Sequence, residues 1–226
     1  MLEVILPAGV ESEECFGDPP CGVLFPEEEK IIARAVASRR RDFAAVRSCA
    51  RACLERLGYP PVPILPGVGG APTWPAGVQG SMTHCPGYAA AAVGPVAQIS
   101  AIGIDAEPDA PLPDGVLNLI ATPAEQNRLA TIQPEADSPN WDRLLFSAKE
   151  AVYKAWFPLV GDWLDHQDAE IVFHPHDRTF TALLTRDGLT VDGRHIHRLH
   201  GRWAHQQGIL LTAITLGPAG DPLISR

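Results

Sequence analysis

No apolar run in the chain approaches the ~18 residues that a membrane-spanning helix requires, and Met1-Leu2-Glu3-Val4 lacks the basic start of a secretory signal. The expectation is a cytoplasmic protein with no membrane association. Cysteine is sparse: five residues, at 15, 21, 49, 53 and 85, without a paired C-x-x-C spacing. Neither a disulfide framework nor a structural zinc site is indicated. Cys49 and Cys53, one helical turn apart, read instead as buried thiols. Positive charge is also short. Lys and Arg number 18 against 27 Asp and Glu, and the net charge of −9 argues against a general nucleic-acid binder. A polyanionic ligand would have to be met by a local basic patch. Set against these absences are 226 residues of which 46% are hydrophobic, ample for one large domain or two small ones.

In chain order, residues 2–6 alternate like a short strand and residues 10–26 read as an irregular loop. Glu27-Glu28-Glu29 after Pro26 occupy the favourable start of a helix running to about Ala37. Phe43, Val46, Ala50, Leu54 and Leu57 form the stripe of a second helix closed by Gly58. Arg39, Arg40, Arg41, Arg47 and Arg51 lie on its other side, as a solvated face or as an anion site. Residues 58–79 are rich in proline and glycine and read as a long loop, in which Gly67-Val68-Gly69-Gly70 lacks the Lys-Ser/Thr of a phosphate-cradling loop. Residues 78–93 fit a strand, or a strand and a turn, that carries His84.

The apolar run Ile99–Ile104 ends in Asp105 and Glu107, two apart on a strand and therefore aimed to the same side. Two like charges there call for a cation, although acids are also common where a strand runs out into a loop such as the one beginning at Pro108. Thr122-Pro123-Ala124-Glu125 is a capping box opening a helix to about Ile132. Ser138-Pro139 opens another, with Pro158 just past its end. Trp141, Leu145, Ala148, Val152 and Trp156 form its packed stripe, while Phe146, Glu150, Tyr153 and Phe157 form a second face that is aromatic around an acid. A carboxylate so placed needs a cation or a metal in answer, and Lys154, four residues on, is one. With Glu150 as a third oxygen donor, Asp105 and Glu107 suit Mg²⁺. Strands follow at 169–173, 179–184, 194–203 and 209–216, the last two joined at Gln206-Gln207-Gly208. His195, His197, His200 and His205 alternate without an accompanying acid, a weak metal set. Leu112, Val116, Leu117, Leu119 and Ile120 are either an apolar docking surface or core.

Three stretches, Gly80-Ser81-Met82-Thr83-His84, Gly103-Ile104-Asp105-Ala106-Glu107 and Phe146-Ser147-Ala148-Lys149-Glu150-Ala151-Val152-Tyr153-Lys154-Ala155, resemble in order and spacing the motifs of the surfactin/enterobactin-type 4′-phosphopantetheinyl transferases. The resemblance runs from about Arg39 to the C-terminal strands. It implies an α+β fold of two similar halves packed pseudosymmetrically, residues 1–107 and 108–226, with the active site in their cleft. It further implies a monomeric enzyme that moves 4′-phosphopantetheine from coenzyme A to a serine of an acyl or peptidyl carrier protein, in fatty-acid, polyketide, nonribosomal peptide or siderophore synthesis. Mg²⁺, or Mn²⁺, would sit on Asp105, Glu107 and Glu150. Glu150, directly or through a water, would accept the serine proton, and Lys154 would stabilise phosphate charge. Arg39, Arg47, Gly70, Pro72, Thr83, His84 and Lys154 would contact coenzyme A. Two departures stand out: the stretch from Leu65 to Pro72 has no basic residue where several relatives have one, and Ala106 offers only its backbone. A metal-dependent hydrolase or nucleotidyl transferase using the same carboxylates, and a non-catalytic coenzyme A or carrier-protein binding module, are the other classes.

Overall fold

The computed structural model describes residues 1–17, 22–133, 137–185, 189–191 and 194–217; Cys21 lies outside them. The N-terminal residues expected as a strand form a 3-10 turn, Leu2–Ile5. Leu2, Ile5 and Leu6 all enter the core, and the three-residue spacing of the first two is met by a turn rather than by strand alternation. The first strand appears where a loop was expected, as β1 (Glu11–Phe16). Its acidic sequence gives no apolar alternation. What holds it is remote: the full antiparallel register with β3 from Glu11↔Val93 to Phe16↔Tyr88, the Tyr88 hydroxyl donating to Glu14 at 2.6 Å, and Arg56 meeting Glu11 and Glu13 at 2.7 and 2.8 Å.

Helix α1 (Pro26–Ile32) stops short of Ala37, where α2 (Ala37–Arg56) begins; Gly58, at φ +83°, closes α2 as expected. Strands β2 (Val78–Cys85) and β3 (Tyr88–Pro95) form a hairpin. Then come β4 (Ala101–Pro108), α3 (Val116–Ile120), α4 (Pro123–Thr131) and α5 (Trp141–Val160). The capping box at Thr122 is formed: Glu125 N donates to the Thr122 hydroxyl and Thr122 N to the Glu125 carboxylate. Helix α5 starts at the Asn140 cap, and Pro158 falls inside its last turn instead of beyond it. A proline there costs one backbone bond near the end of the helix, which Gly161 closes in the left-handed conformation at φ +72°. Strands β5 (Ala169–His174) and β6 (Thr179–Leu184) follow. The expected strand 194–203 is divided: β7 (Leu189–Val191) pairs with β8 (Arg194–Ile196), and β9 (Arg198–Gln206) leads through a turn with Gln207 and Gly208 at φ +55° and +73° into β10 (Ile209–Leu216).

Among the described residues the strands form a three-stranded antiparallel sheet in the order β1-β3-β2, a five-stranded one in the order β4-β10-β9-β6-β5, and the separate β7-β8 pair. Helix α2 lies on the first, where the buried Ala89–Ala92 run lets it approach, and α5 lies on the second. At the join, β2 and β4 run side by side without a backbone ladder. Two hydroxyls replace it: Ile104 N donates to Ser81 Oγ at 3.1 Å and Ala106 N to Thr83 Oγ1 at 3.0 Å. Strand β4 therefore shares its backbone bonds between the sheet of the second half and the side chains of the first. Each half also repeats one device. A short helix opening with proline buries a glutamate in its first turn, which caps that helix, accepts a distant backbone N–H and binds a cation on the following long helix. In the first half this is Glu28 with Phe25 N, Ile64 N and Arg51; in the second, Glu125 with Thr122 N, Ile171 N and Lys149. Both acids are almost fully buried, where such a charge is tolerable only when so completely answered.

The stripe of α5 packs as expected, with Leu145, Ala148, Val152 and Trp156 buried. It packs tightly on β4, where a Cβ on Gly103 would stand only 2.0 Å from Ala151 O. The apolar segment before α4 is divided: Leu112 and Ile120 are buried, Val116 and Leu117 pack against the core, and Leu119 alone is exposed. Most of that segment is therefore core, not docking surface.

Candidate active site

Between α2, β2 and α5 lies a cleft of about 710 Å³, within the ~300–1,000 Å³ usual for small-molecule sites. Its walls are the near face of α2, the 66–72 loop, β2 from Gln79 to His84, Asp105, and the aromatic face of α5. Of the expected site residues, Arg39, Arg47, Gly70, Pro72, Thr83, His84, Asp105, Glu150 and Lys154 line it; Glu107 does not.

Asp105 is the most enclosed of the three acids. Lys154 Nζ donates to its Oδ1 at 2.6 Å and to the Ile104 carbonyl at 3.1 Å, the Thr83 hydroxyl donates to Oδ1 at 3.3 Å, and the buried Oδ2 has no partner. Burial pushes the Asp105 carboxyl up, and Lys154 opposes that. Lys154 thus bonds Asp105 on the strand rather than Glu150 one turn upstream, because the approach at Gly103 sets the helix directly against the strand, although its charge still helps to lower the Glu150 carboxyl. Glu150 is met by His166, whose Nε2 lies 3.3 Å from Oε1 and whose ring stacks on Phe146 at 6.1 Å. The contact with His166 lowers the Glu150 carboxyl, and burial works the other way. Glu107 Oε2 accepts from Arg143 Nη1 at 3.0 Å; burial raises this carboxyl, and the neighbouring Asp105 adds to the rise. Each acid therefore has one oxygen held by a basic side chain. Among the described residues no three His, Cys, Asp or Glu side chains form a group close enough to hold a metal ion.

The arginine cluster divides by partner. Arg40 donates to the Ile32 carbonyl, and Arg51 to Glu28 and the Val23 carbonyl, so both tie α2 to the preceding segment. Arg47 lines the cleft but is buried: its Nε donates to the Ile64 carbonyl at 2.9 Å, its Nη1 to the Phe43 carbonyl at 3.3 Å, and its guanidinium lies 3.1 Å above the Phe43 ring. Burial lowers it to about 10, which leaves it charged at neutral pH. Arg39 is exposed, with Nη1 3.1 Å from His84 Nε2. Burial holds His84 below its ordinary value, so the neutral ring accepts from Arg39. The Thr83 hydroxyl is already used twice, donating to Asp105 and accepting from Ala106 N. The uncharged 66–72 loop packs its backbone on α5: Gly69, at φ +64°, would place a Cβ 2.3 Å from the Phe157 ring.

Sequence reasoning missed Arg143 and His166. Arg143 lies 36 residues from Glu107 and His166 lies 16 from Glu150. No spacing rule connects such pairs, and an arginine at the start of a helix or a histidine in a loop carries no signal of its own.

Residues 27–94 match the family described as 4′-phosphopantetheinyl transferase N-terminal domain, and residues 101–206 match the 4′-phosphopantetheinyl transferase superfamily. The chain belongs to that superfamily. It is 50% identical over 224 residues to the 4′-phosphopantetheinyl transferase Svp of Streptomyces mobaraensis, covering 97% of this chain and 91% of that protein. Identity to the 4′-phosphopantetheinyl transferase PptT of Mycobacterium tuberculosis is 47% over 225 residues, covering 96% and 98% of the two chains. The 4′-phosphopantetheinyl transferase Npt of Nocardia iowensis is 48% identical over 222 residues, covering 95% and 99%.

Proposed function

We propose that the cleft transfers the 4′-phosphopantetheine of coenzyme A to a serine hydroxyl of an acyl or peptidyl carrier protein. The serine oxygen attacks the phosphorus that bears the pantetheine, the bond from that phosphorus to the adenosine bisphosphate side breaks, and adenosine 3′,5′-bisphosphate leaves. The observation that carries this reading is Asp105, a buried carboxylate bound to Lys154 through one oxygen and unpartnered at the other, facing a cleft that also holds Glu150 and Arg39. Glu150, held by His166, accepts the serine proton. Lys154 Nζ, at the edge of the cleft, meets the negative charge that gathers on the phosphoryl oxygens. Arg39, with His84 as its support, and the charged Arg47 take the phosphates of coenzyme A, while the backbone at Gly70 and Pro72 borders the nucleotide end.

The donor set fits a hard divalent cation. Asp105 Oδ2 is buried and unpartnered, and Glu107 and Glu150 each meet a basic side chain through one oxygen. Asp105, joined by Glu107 and Glu150 once these turn from their basic partners, would hold Mg²⁺ or Mn²⁺, which when bound supplies neutralisation of the pyrophosphate. A carrier from peptide-synthetase or siderophore assembly agrees with the 35% identity over 159 residues to enterobactin synthase component D of Escherichia coli O157:H7. A reducing, cytoplasmic setting fits the free thiols of Cys15, Cys49, Cys53 and Cys85; no described helix is long and apolar enough to cross a membrane.

The test is intact-protein mass spectrometry of a panel of apo carrier proteins with coenzyme A and Mg²⁺. One phosphopantetheine should be added to at least one carrier, and Asp105→Ala should abolish the addition while circular dichroism stays native. Release of free phosphate without carrier mass gain, or undiminished transfer by the folded variant, would refute the assignment.

A further inference from the structure

His84, on the wall of the cleft, stands between two groups of opposite charge carried by one helix. Arg39 and Asp42, three apart on α2 and therefore on one face, approach different ring nitrogens: Arg39 Nη1 lies 3.1 Å from Nε2, and Asp42 Oδ2 lies 3.9 Å from Nδ1. An arginine can only donate, so its bond to Nε2 requires a bare nitrogen there and leaves the ring proton on Nδ1, toward the carboxylate. Arg39 and His84 line the cleft, whereas Asp42 is not part of its wall. Burial disfavours a second ring proton most; Arg39 and, from α5, Lys154 also disfavour it, while Asp42 and, from β4, Asp105 favour it. Lys154 and Asp105 bond each other at 2.6 Å, so their effects on the ring largely cancel. The balance therefore lies between Arg39 and Asp42. A phosphate entering the cleft tips it, because a dianion is a far better acceptor for a guanidinium than a neutral imidazole is. Arg39 is drawn from Nε2, negative charge arrives near the ring, and Asp42 stays at Nδ1.

We propose that Asp42 is a positioning residue for coenzyme A: it supports the Nδ1 side of His84, so that as Arg39 turns to a phosphate, Nε2 takes up a proton from solvent and becomes a second cationic donor to the ligand. The inference rests on the reading of Arg39 and His84 as phosphate contacts, and names the group that prepares one of them. At 3.9 Å the carboxylate is too far for a hydrogen bond to the neutral ring, and the contact becomes an ion pair once the ring is charged. The sign of the pH dependence follows. The free ring titrates below its ordinary 6.5 and the bound ring above that free value, so affinity is greatest below the first and declines as pH rises toward the second. Removing Asp42 also removes a negative charge, which by itself favours an anion. Affinity alone is therefore ambiguous, and the number of protons taken up on binding is the decisive quantity.

The experiment is isothermal titration calorimetry of coenzyme A into the full chain at pH 7.5, in buffers of different ionisation enthalpy. It is run in EDTA, or with Mg²⁺ in every sample where parental affinity requires it. At that pH a phosphate with its second ionisation near pH 6 is already dianionic, so the ligand itself contributes little. The parent should take up about 0.5 proton or more per coenzyme A bound, and Asp42→Asn less than about half as much. His84→Gln, which keeps a donor but has no titratable ring, should take up almost none. Asp42 is 42% exposed, so Asp42→Asn should keep the parental melting temperature. A merely structural role would change affinity or stability without changing the proton count. Parental uptake by Asp42→Asn overturns the role of Asp42. Binding without uptake by the parent, or undiminished uptake by His84→Gln, overturns the proton step as well. A folded parent that binds no coenzyme A overturns the reading on which both rest.

Discussion

Gly103→Ala would test whether the approach of α5 to β4 builds the site. The added methyl would stand 2.0 Å from Ala151 O and 2.7 Å from Ala155 N, and these backbone atoms have no rotamer by which to move aside. To reach the 3.4 Å of ordinary contact, the helix must withdraw by about 1.4 Å. Lys154 lies between the two clashing residues and Glu150 immediately precedes the first. A rigid withdrawal takes the 2.6 Å Lys154–Asp105 bond to about 4 Å, beyond hydrogen-bonding range. Overpacking of this kind costs roughly 1–3 kcal/mol of stability, and a misplacement of about 1 Å in a catalytic group costs on the order of 10²-fold in rate. Urea unfolding and the initial rate of carrier modification at saturating coenzyme A measure the two effects separately. The control is Gly201→Ala on β9, two strands from β4, where the new methyl meets the Phe180 ring at 2.1 Å. That variant should lose comparable stability yet, when folded, keep its rate to within about threefold, since no site residue rides on the disturbed contact. A folded Gly103→Ala protein with parental kcat, or equal rate losses in the two variants, would refute the idea that this contact aligns Lys154 with Asp105.

The two cleft arginines should separate. Arg39→Ala is expected to raise the coenzyme A KM roughly tenfold or more with stability within about 0.5 kcal/mol, because its contact is a single exposed one. Arg47→Ala should weaken coenzyme A binding and also lose about 2–3 kcal/mol by urea unfolding, since Ile64 O and Phe43 O lose their donor. An Arg47→Ala protein of parental stability would contradict its described bonds. In the segment before α4, Leu117→Asp should cost about 3 kcal/mol and Leu119→Asp less than about 0.5 kcal/mol, as thermal melts will show; equal effects would contradict the division into core and surface. His84 supplies a pH dependence. Its folded value lies below the ordinary 6.5, so the unfolded chain binds the proton more readily and stability is lost as pH falls below about 6.5. His84→Gln should flatten that loss between pH 7.5 and 5.5, and an unchanged slope would count against the burial argument.

Much of this protein was decided by sequence alone where the decisive interactions are local. Alternation along a strand put Asp105 and Glu107 on one side of β4, three- and four-residue spacing marked the buried stripe of α5, the Thr122–Glu125 box opened α4 and Gly58 closed α2. The motifs around His84, Asp105 and Glu150 carried the family for the same reason, being short and contiguous. Tertiary structure decided the rest. The acidic β1 exists because β3, Tyr88 and Arg56 come to it, and Leu2–Ile5 turns because a core lies beneath it. Local spacing offered Lys154 to Glu150, yet close packing at Gly103 delivers it to Asp105, 49 residues away in sequence. Arg143 on Glu107, His166 on Glu150, and the division of the arginines between cleft and scaffold are likewise choices among charged partners brought together from distant segments. A sequence lists which charges are available, but their pairing depends on distance and burial, and those exist only once the two halves have packed.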